Sequence, residues 1–310
     1  MIGSTIAPLA VAQGAQVTIL DAMLPLYGGN LFNLKDILNK IELIQGDIRD
    51  AELMRRVVAG HDVIFSLAGQ VSYVDSNTEP LLDLAINCTG NLQNLEACRR
   101  VNPRARLFFA SSRFVYARIE YNPVDGNHPF NGLSIYGIHK LVGEKYYRFY
   151  HEAYGLPTVS ARIANPYGPQ QQMKHSKYGI VNWFIRLALE GKPLPVFGNG
   201  LQRRDYVFNE DLAAAIHLVL TPGTEEQVYN LGPGIGTAFI DMARLVAAAV
   251  PGTDVNQVEW PKDRFFVETG DYISDITDIT EITDWRPQTS LQEGIARTVD
   301  YYRPHREQYW

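Results

Sequence analysis

Arg106-Leu107-Phe108-Phe109-Ala110-Ser111-Ser112 is a short apolar run that closes on two serines, and Ser134-Ile135-Tyr136-Gly137-Ile138-His139-Lys140 opens a long helix-patterned stretch after it. Apolar residues at consecutive positions predict a strand buried on both faces, and such strands belong to parallel sheets covered by helices. Gln16 to Asp21, Ile41 to Ile44, Val63 to Leu67 and, after Pro157, Thr158 to Arg162 have the same character. Between them Asp50 to Ala59, Glu79 to Arg100 and Ser134 to Tyr154 carry helical spacing. That alternation predicts an α/β fold with a doubly wound parallel sheet over residues 1–165. From about Asn165 the order loosens, and Gly- and Pro-rich loops alternate with helices at Val181 to Glu190, Asn209 to Leu220 and Ala238 to Val250. Residues 166–310 are therefore expected to form mainly a smaller α/β lobe, with some segments returning to the first unit.

The chain has 310 residues, a formal net charge of −6 and 46% hydrophobic residues, which suits a globular protein with a large core. Interspersed charge of that sign argues against nucleic acid as a partner, and no apolar run is long enough to cross a membrane. Cys88 and Cys98, the only two cysteines, offer neither a disulfide framework nor a metal-ligand spacing, and the seven histidines show no zinc-site pattern. No metal is expected, and a reducing, cytoplasmic location is.

Tyr136 and Lys140 lie one helical turn apart and share a face if the stretch is helical. None of the other sixteen tyrosines has lysine four residues on. An ammonium beside a phenol favours phenolate and is expected to lower its pKa from about 10, making Tyr136 a base for an alcohol proton. Ser112, at the end of its strand, would hold the same hydroxyl.

A dinucleotide-binding unit opens with a strand and a glycine-rich turn that brings a pyrophosphate to a helix N-terminus. Here Gly3 precedes a helix-like run containing Pro8, and the next strand ends in Asp21, 18 residues after Gly3, an acid placed to bind adenosine ribose hydroxyls. The expectation is a start that lacks the first strand and two glycines.

Assembled, these pieces resemble the extended short-chain dehydrogenase/reductases, specifically the NAD-dependent nucleotide-sugar epimerase and dehydratase group with its Rossmann-like sheet. The resemblance is carried by Gln45-Gly46-Asp47-Ile48-Arg49-Asp50, Leu67-Ala68-Gly69-Gln70, Asn87-Cys88-Thr89-Gly90-Asn91, Ser111 to Tyr116, Tyr136 with Lys140, Arg162 to Pro169 and Gly198 to Asp205. It implies Ser112, Tyr136 and Lys140 as the catalytic set. It implies NAD contacts at Gly3, Asp21, Asp47, Ile48, Leu67, Ala68, Gly69, Asn87, Tyr136 and Lys140. Substrate contacts would fall at Asn165, Val196, Arg204 and Arg264. It also implies a homodimer, in which the helices matching Glu79 to Arg100 and Ser134 to Tyr154 pair with their symmetry mates.

Two departures bear on the reaction. Where 4,6-dehydratases of the group carry an Asp-Glu pair after the catalytic Ser or Thr, this chain has Arg113-Phe114. Where many UDP-hexose epimerases carry an arginine two residues before a Gly-Asp, Glu268 precedes Thr269-Gly270-Asp271, and Arg264 is the nearest guanidinium before it. The expected activity is epimerisation of a nucleotide sugar, with C4 favoured, through a transient ketosugar. The alternatives are a CDP-tyvelose-like 2-epimerase, a net reductase, or an inactive family member acting as a scaffold.

Overall fold

The computed structural model describes residues 1–24, 27–221, 223–224, 227–261 and 268–310. At its centre is a parallel sheet of β3 (Val63–Ser66), β4 (Arg106–Ser112), β5 (Thr158–Ile163) and β9 (Val228–Leu231), in that spatial order. The register pairs Ile64 with Leu107, Phe109 with Ser160 and Ile163 with Leu231. β9 lies far along the chain, so a late segment closes one edge of the early sheet. Apolar residues point to both faces of β4. On one, Phe109 stacks on Tyr147 at 4.7 Å within a cluster that includes Met54, Leu95 and Leu156. On the other, Phe108 joins Ile6, Val159, Leu212 and Ile216. The helices supplying these layers are α1 (Ile2–Ala12), α2 (Ala51–Val57), α5 (Asn91–Val101), α6 (Ile135–Tyr154) and α8 (Asn209–Leu218).

Helix boundaries follow local chemistry. Asp50 accepts from the amides of Glu52 and Leu53 at the start of α2, and Ser134 accepts from Gly137 N at 3.2 Å at the start of α6. Gly155 ends α6 at φ 68°, a left-handed conformation that costs glycine little. The predicted helix over Glu79 to Arg100 is a composite of α4 (Pro80–Asp83), a π-helical segment Leu84–Gly90, and α5. α1 runs through Pro8.

One expectation fails. Full burial on both faces holds for β4 and β5, but β1 (Val17–Asp21), β2 (Ile41–Gln45) and β3 have no buried residue. β1 and β2 form a separate parallel pair, and among the described residues no ladder joins them to β3. The facing edges of β1 and β3 line a shared cavity, so neither has the neighbour that would cover it.

The second lobe packs around Phe184, Ile185, Leu194, Val196, Met242 and Val246, with Ile295, Val299 and Tyr302 of the last helix, Leu291–His305. Its strands form two small sheets: β6 (Asn165–Tyr167), β8 (Arg203–Phe208) and β10 (Gly236–Ala238), and the pair β7 (Leu194–Phe197) with β11 (Val255–Val258). The main sheet and β6–β8 meet along a cleft.

Candidate active site

β4 carries Ser112 to the lip of this cleft, and the first turn of α6 carries Tyr136 to the same place. The N-terminus of α6 is held by Ser134 and by Ser76, whose hydroxyl accepts from Tyr136 N at 3.0 Å. Lys140 follows one turn later, 4% exposed, with Nζ donating to Ala110 O at 2.8 Å and lying 5.8 Å from the Tyr136 ring centre. Ser112, Tyr136 and Lys140 all line a cavity of about 1890 Å³ that runs from the cleft into the gap between β1 and β3.

The electrostatics correct one expectation. Burial pushes the Tyr136 phenol up to about 12; Ser112 and Arg113 pull it down, and Asp83 adds to the rise. The phenol is thus raised rather than lowered, because desolvation outweighs Ser112 and Arg113, and Lys140 Nζ is turned to a backbone carbonyl instead of the phenol. Burial in turn lowers the Lys140 ammonium to about 8, against Asp83, Cys88 and Glu144.

Beside Lys140 the backbone makes a narrow recess. A Cβ on Gly69 would lie 2.9 Å from Asn87 Oδ1 and 3.4 Å from Lys140 Nζ, so only glycine leaves the space open. Asn87 is fully buried and donates to Gln70 O at 2.9 Å, while its Oδ1 has no partner among the described residues. An orphaned acceptor, a Cβ-free wall and a buried ammonium suit the amide and hydroxyl groups of a dinucleotide. Gly3, Leu67, Ala68, Gly69 and Lys140 line the cavity, and Asn87 stands behind Gly69 without lining it. Further along it, Asp21 accepts from Met23 N at 2.7 Å, and Asp47 is held by Arg49 through contacts of 2.6 and 2.9 Å that keep its carboxyl below the usual range. Ile48 also lines the cavity, and it packs against Gly90, where a Cβ would fall 2.6 Å from Ile48 Cδ1.

On the opposite side, Asn165 donates to Asp205 O at 2.9 Å and accepts from Arg113 Nε at 3.2 Å. Arg204 is 8% exposed, ion-pairs with Glu268 and donates to Gly270 O at 2.8 Å. Val196 is not brought to the cavity: its side chain is fully buried in the core of the second lobe. Arg264 lies outside the described residues.

Sequence reasoning gave no site role to four contributors. Thr269 accepts from Arg113 Nη1 at 3.1 Å, and Glu268 neutralises Arg204. Behind Ser112, Glu144 of α6 accepts from Ser111 Oγ at 2.5 Å and pairs with Arg162 of β5 at 2.8 Å, locking α6 to the two strands that carry the site. A carboxylate one helical turn after Lys140, on the face that runs from Tyr136, was the available signal for this pair.

A serine, a tyrosine and a lysine converging at a dinucleotide-sized recess on a doubly wound sheet define the short-chain dehydrogenase type of nucleotide-sugar enzyme. The chain belongs to the NAD dependent epimerase/dehydratase family, whose pattern matches residues 1–232, and NAD is its cofactor. It is similar to the UDP-glucose 4-epimerase of Mycolicibacterium smegmatis, at 33% identity covering 97% of this chain and 95% of that one. A dTDP-glucose 4,6-dehydratase of Xanthomonas campestris pv. campestris is 29% identical, covering 97% and 90%. Among solved structures, the UDP-glucose 4-epimerase of Thermus thermophilus in complex with NAD aligns with a TM-score of 0.87 at 30% identity, covering 98% and 96%. Among the described residues no helix is long and apolar enough to cross a membrane, and no group of three or more His, Cys, Asp and Glu could hold a metal ion.

Proposed function

We propose that the protein epimerises the hexose of a nucleotide sugar at C4. The observation that carries this reading is the meeting of Ser112, Tyr136 and Lys140 at the cavity wall, with Arg113-Phe114 where elimination of water would need an acid and a base. Bound NAD would supply reversible hydride acceptance, so the reaction would have no net redox change. Tyr136 in its phenolate form, the minor form at neutral pH with the phenol raised to about 12, takes the proton of the C4 hydroxyl and returns it after the ketosugar has presented its other face. Ser112 hydrogen-bonds the same oxygen and, with Arg113, offsets part of the desolvation that holds the phenol protonated. Lys140 and Gly69, with Asn87 behind them, form the recess for the cofactor. Arg204 offers a guanidinium for the diphosphate, in competition with Glu268. Transfer of a C4 role from the Mycolicibacterium and Thermus epimerases accords with this arrangement.

The test is to incubate the protein with NAD and a panel of nucleotide sugars and to follow C4 inversion by NMR, beside Tyr136→Phe. The variant keeps the ring and its packing, so cofactor content and melting temperature should be retained while turnover falls by about 10²-fold or more. Near wild-type turnover would remove the tyrosine from the mechanism. Inversion at another carbon, or none with any sugar, would overturn the C4 assignment.

A further inference from the structure

We infer that Arg113 selects the sugar by receiving a carboxylate borne on the ring carbon next to the reacting one, so that the substrate is a nucleotide-linked hexuronate rather than a neutral hexose. This rests on the nucleotide-sugar reading above and goes beyond it.

Arg113 follows Ser112 directly, and the ring of Phe114 stands edge-on to Tyr136 at 6.0 Å, so this guanidinium belongs to the reacting end of the cleft. It is 6% exposed. Its hydrogen-bond acceptors among the described residues are both neutral: Asn165 Oδ1 at 3.2 Å and Thr269 Oγ1 at 3.1 Å. Among the described residues Nη2 makes no hydrogen bond and no carboxylate lies within ion-pair distance, because Glu268 is engaged by Arg204. Phe114 and Tyr272 flank the guanidinium, 4.4 and 5.4 Å from its carbon, and fix its plane. The side chain lines the cavity. A buried cation with neutral partners and a spare donor is costly unless an anion arrives, and a guanidinium fits a carboxylate through paired N–H donors.

Two anions on such a substrate compete for this role. The diphosphate hangs from C1, across the ring from C4, whereas the C5 substituent adjoins C4. With C4 held at Ser112 and Tyr136, a carboxylate on C5 is the anion within reach of the neighbouring residue. Burial and the nearby Arg204 lower the Arg113 pKa to about 10, against the pull of Glu268, which acts on it through space without a direct ion pair, and it stays charged at neutral pH.

The test is calorimetric titration of the NAD-loaded protein with UDP-glucose, UDP-glucuronate and the corresponding dTDP pair. Wild type should bind the uronate at least tenfold more tightly than the hexose, as a charge-assisted contact in a dry site predicts. Arg113→Gln should abolish that preference and Arg113→Lys should keep part of it, with thermal melts verifying both folds. Equal affinity of wild type for uronate and hexose would overturn the inference and leave the nucleotide-sugar reading standing. An equal loss for both ligands in Arg113→Gln would assign the guanidinium to the diphosphate and overturn it too. Failure of every nucleotide sugar to bind would take down the broader reading along with it.

Discussion

Lys140 is a cation that the fold buries between β4 and α6 with one carbonyl, Ala110 O, as its hydrogen-bond acceptor among the described residues. The lowering of its pKa from 10.5 to about 8 is a stability statement as well as a functional one. Between pH 8 and 10.5 the unfolded chain holds this proton and the folded chain does not, so stability rises with pH across that window. Below pH 8 both states are protonated and the burial cost is present in full. Tyr136, raised to about 12, acts in the opposite sense, but only above pH 10, where the unfolded phenol ionises first. Lys140→Met lacks the lysine contribution and keeps the tyrosine one. Urea unfolding of the two proteins should therefore show the difference moving toward wild type by roughly 2 to 3 kcal/mol from pH 8 to 10. A difference that stays flat over that range would mean the ammonium is not desolvated in solution.

Helix α6 reaches the site only because its first turn lies almost on the backbone after Ser112. A Cβ at Gly137 would fall 2.2 Å from Phe114 O and 3.1 Å from Phe114 C, and neither is a side chain that can swing away. Gly137→Ala must push α6 from that turn and part Tyr136 from Ser112. A loss of about 2 kcal/mol or more in stability, with at least a tenfold fall in turnover, is expected. Gly126→Ala, where a Cβ meets nothing within 4 Å, is the control. Unchanged melting and turnover in Gly137→Ala would refute this close approach. The legibility of the chain divides along the same line. The start and end of α6, and Tyr136 one turn from Lys140, were readable because caps and i,i+4 spacing are local. The surroundings of Arg113 were not, since its acceptors Asn165 and Thr269 lie 52 and 156 residues away. The direction of the Tyr136 shift was misread for a related reason: desolvation sums over everything packed round the phenol, and a single neighbouring charge does not reveal it. Val196 was carried over by family position, and its side chain turned out to serve the core. The exposure of β1 to β3 escaped an apolar pattern that says what a strand can bury and not which neighbours it has.

At the scale of the molecule, the helical layer formed by α4, the π-helical segment, α5 and α6 has more apolar surface than the sheet can cover. Leu95 and Tyr147 turn inward and are fully buried, which accounts for one face. On the other, Leu81 is 77%, Leu84 42%, Ile138 43% and Phe149 53% exposed. Single exposed apolar residues are ordinary, but several on elements packed against one another form the kind of patch that marks an interface. Two antiparallel copies of this layer would meet across a twofold axis, since an isologous contact needs one self-complementary patch only. We therefore expect a homodimer, with sedimentation at micromolar concentration reporting roughly twice the 34.9 kDa chain mass. Leu81→Glu combined with Phe149→Glu should yield a monomer with the wild-type helical signal, because neither side chain belongs to a buried cluster. A clean monomer in the wild type across that concentration range would sink the assignment. A dimer that survives both glutamates would place the interface on another face.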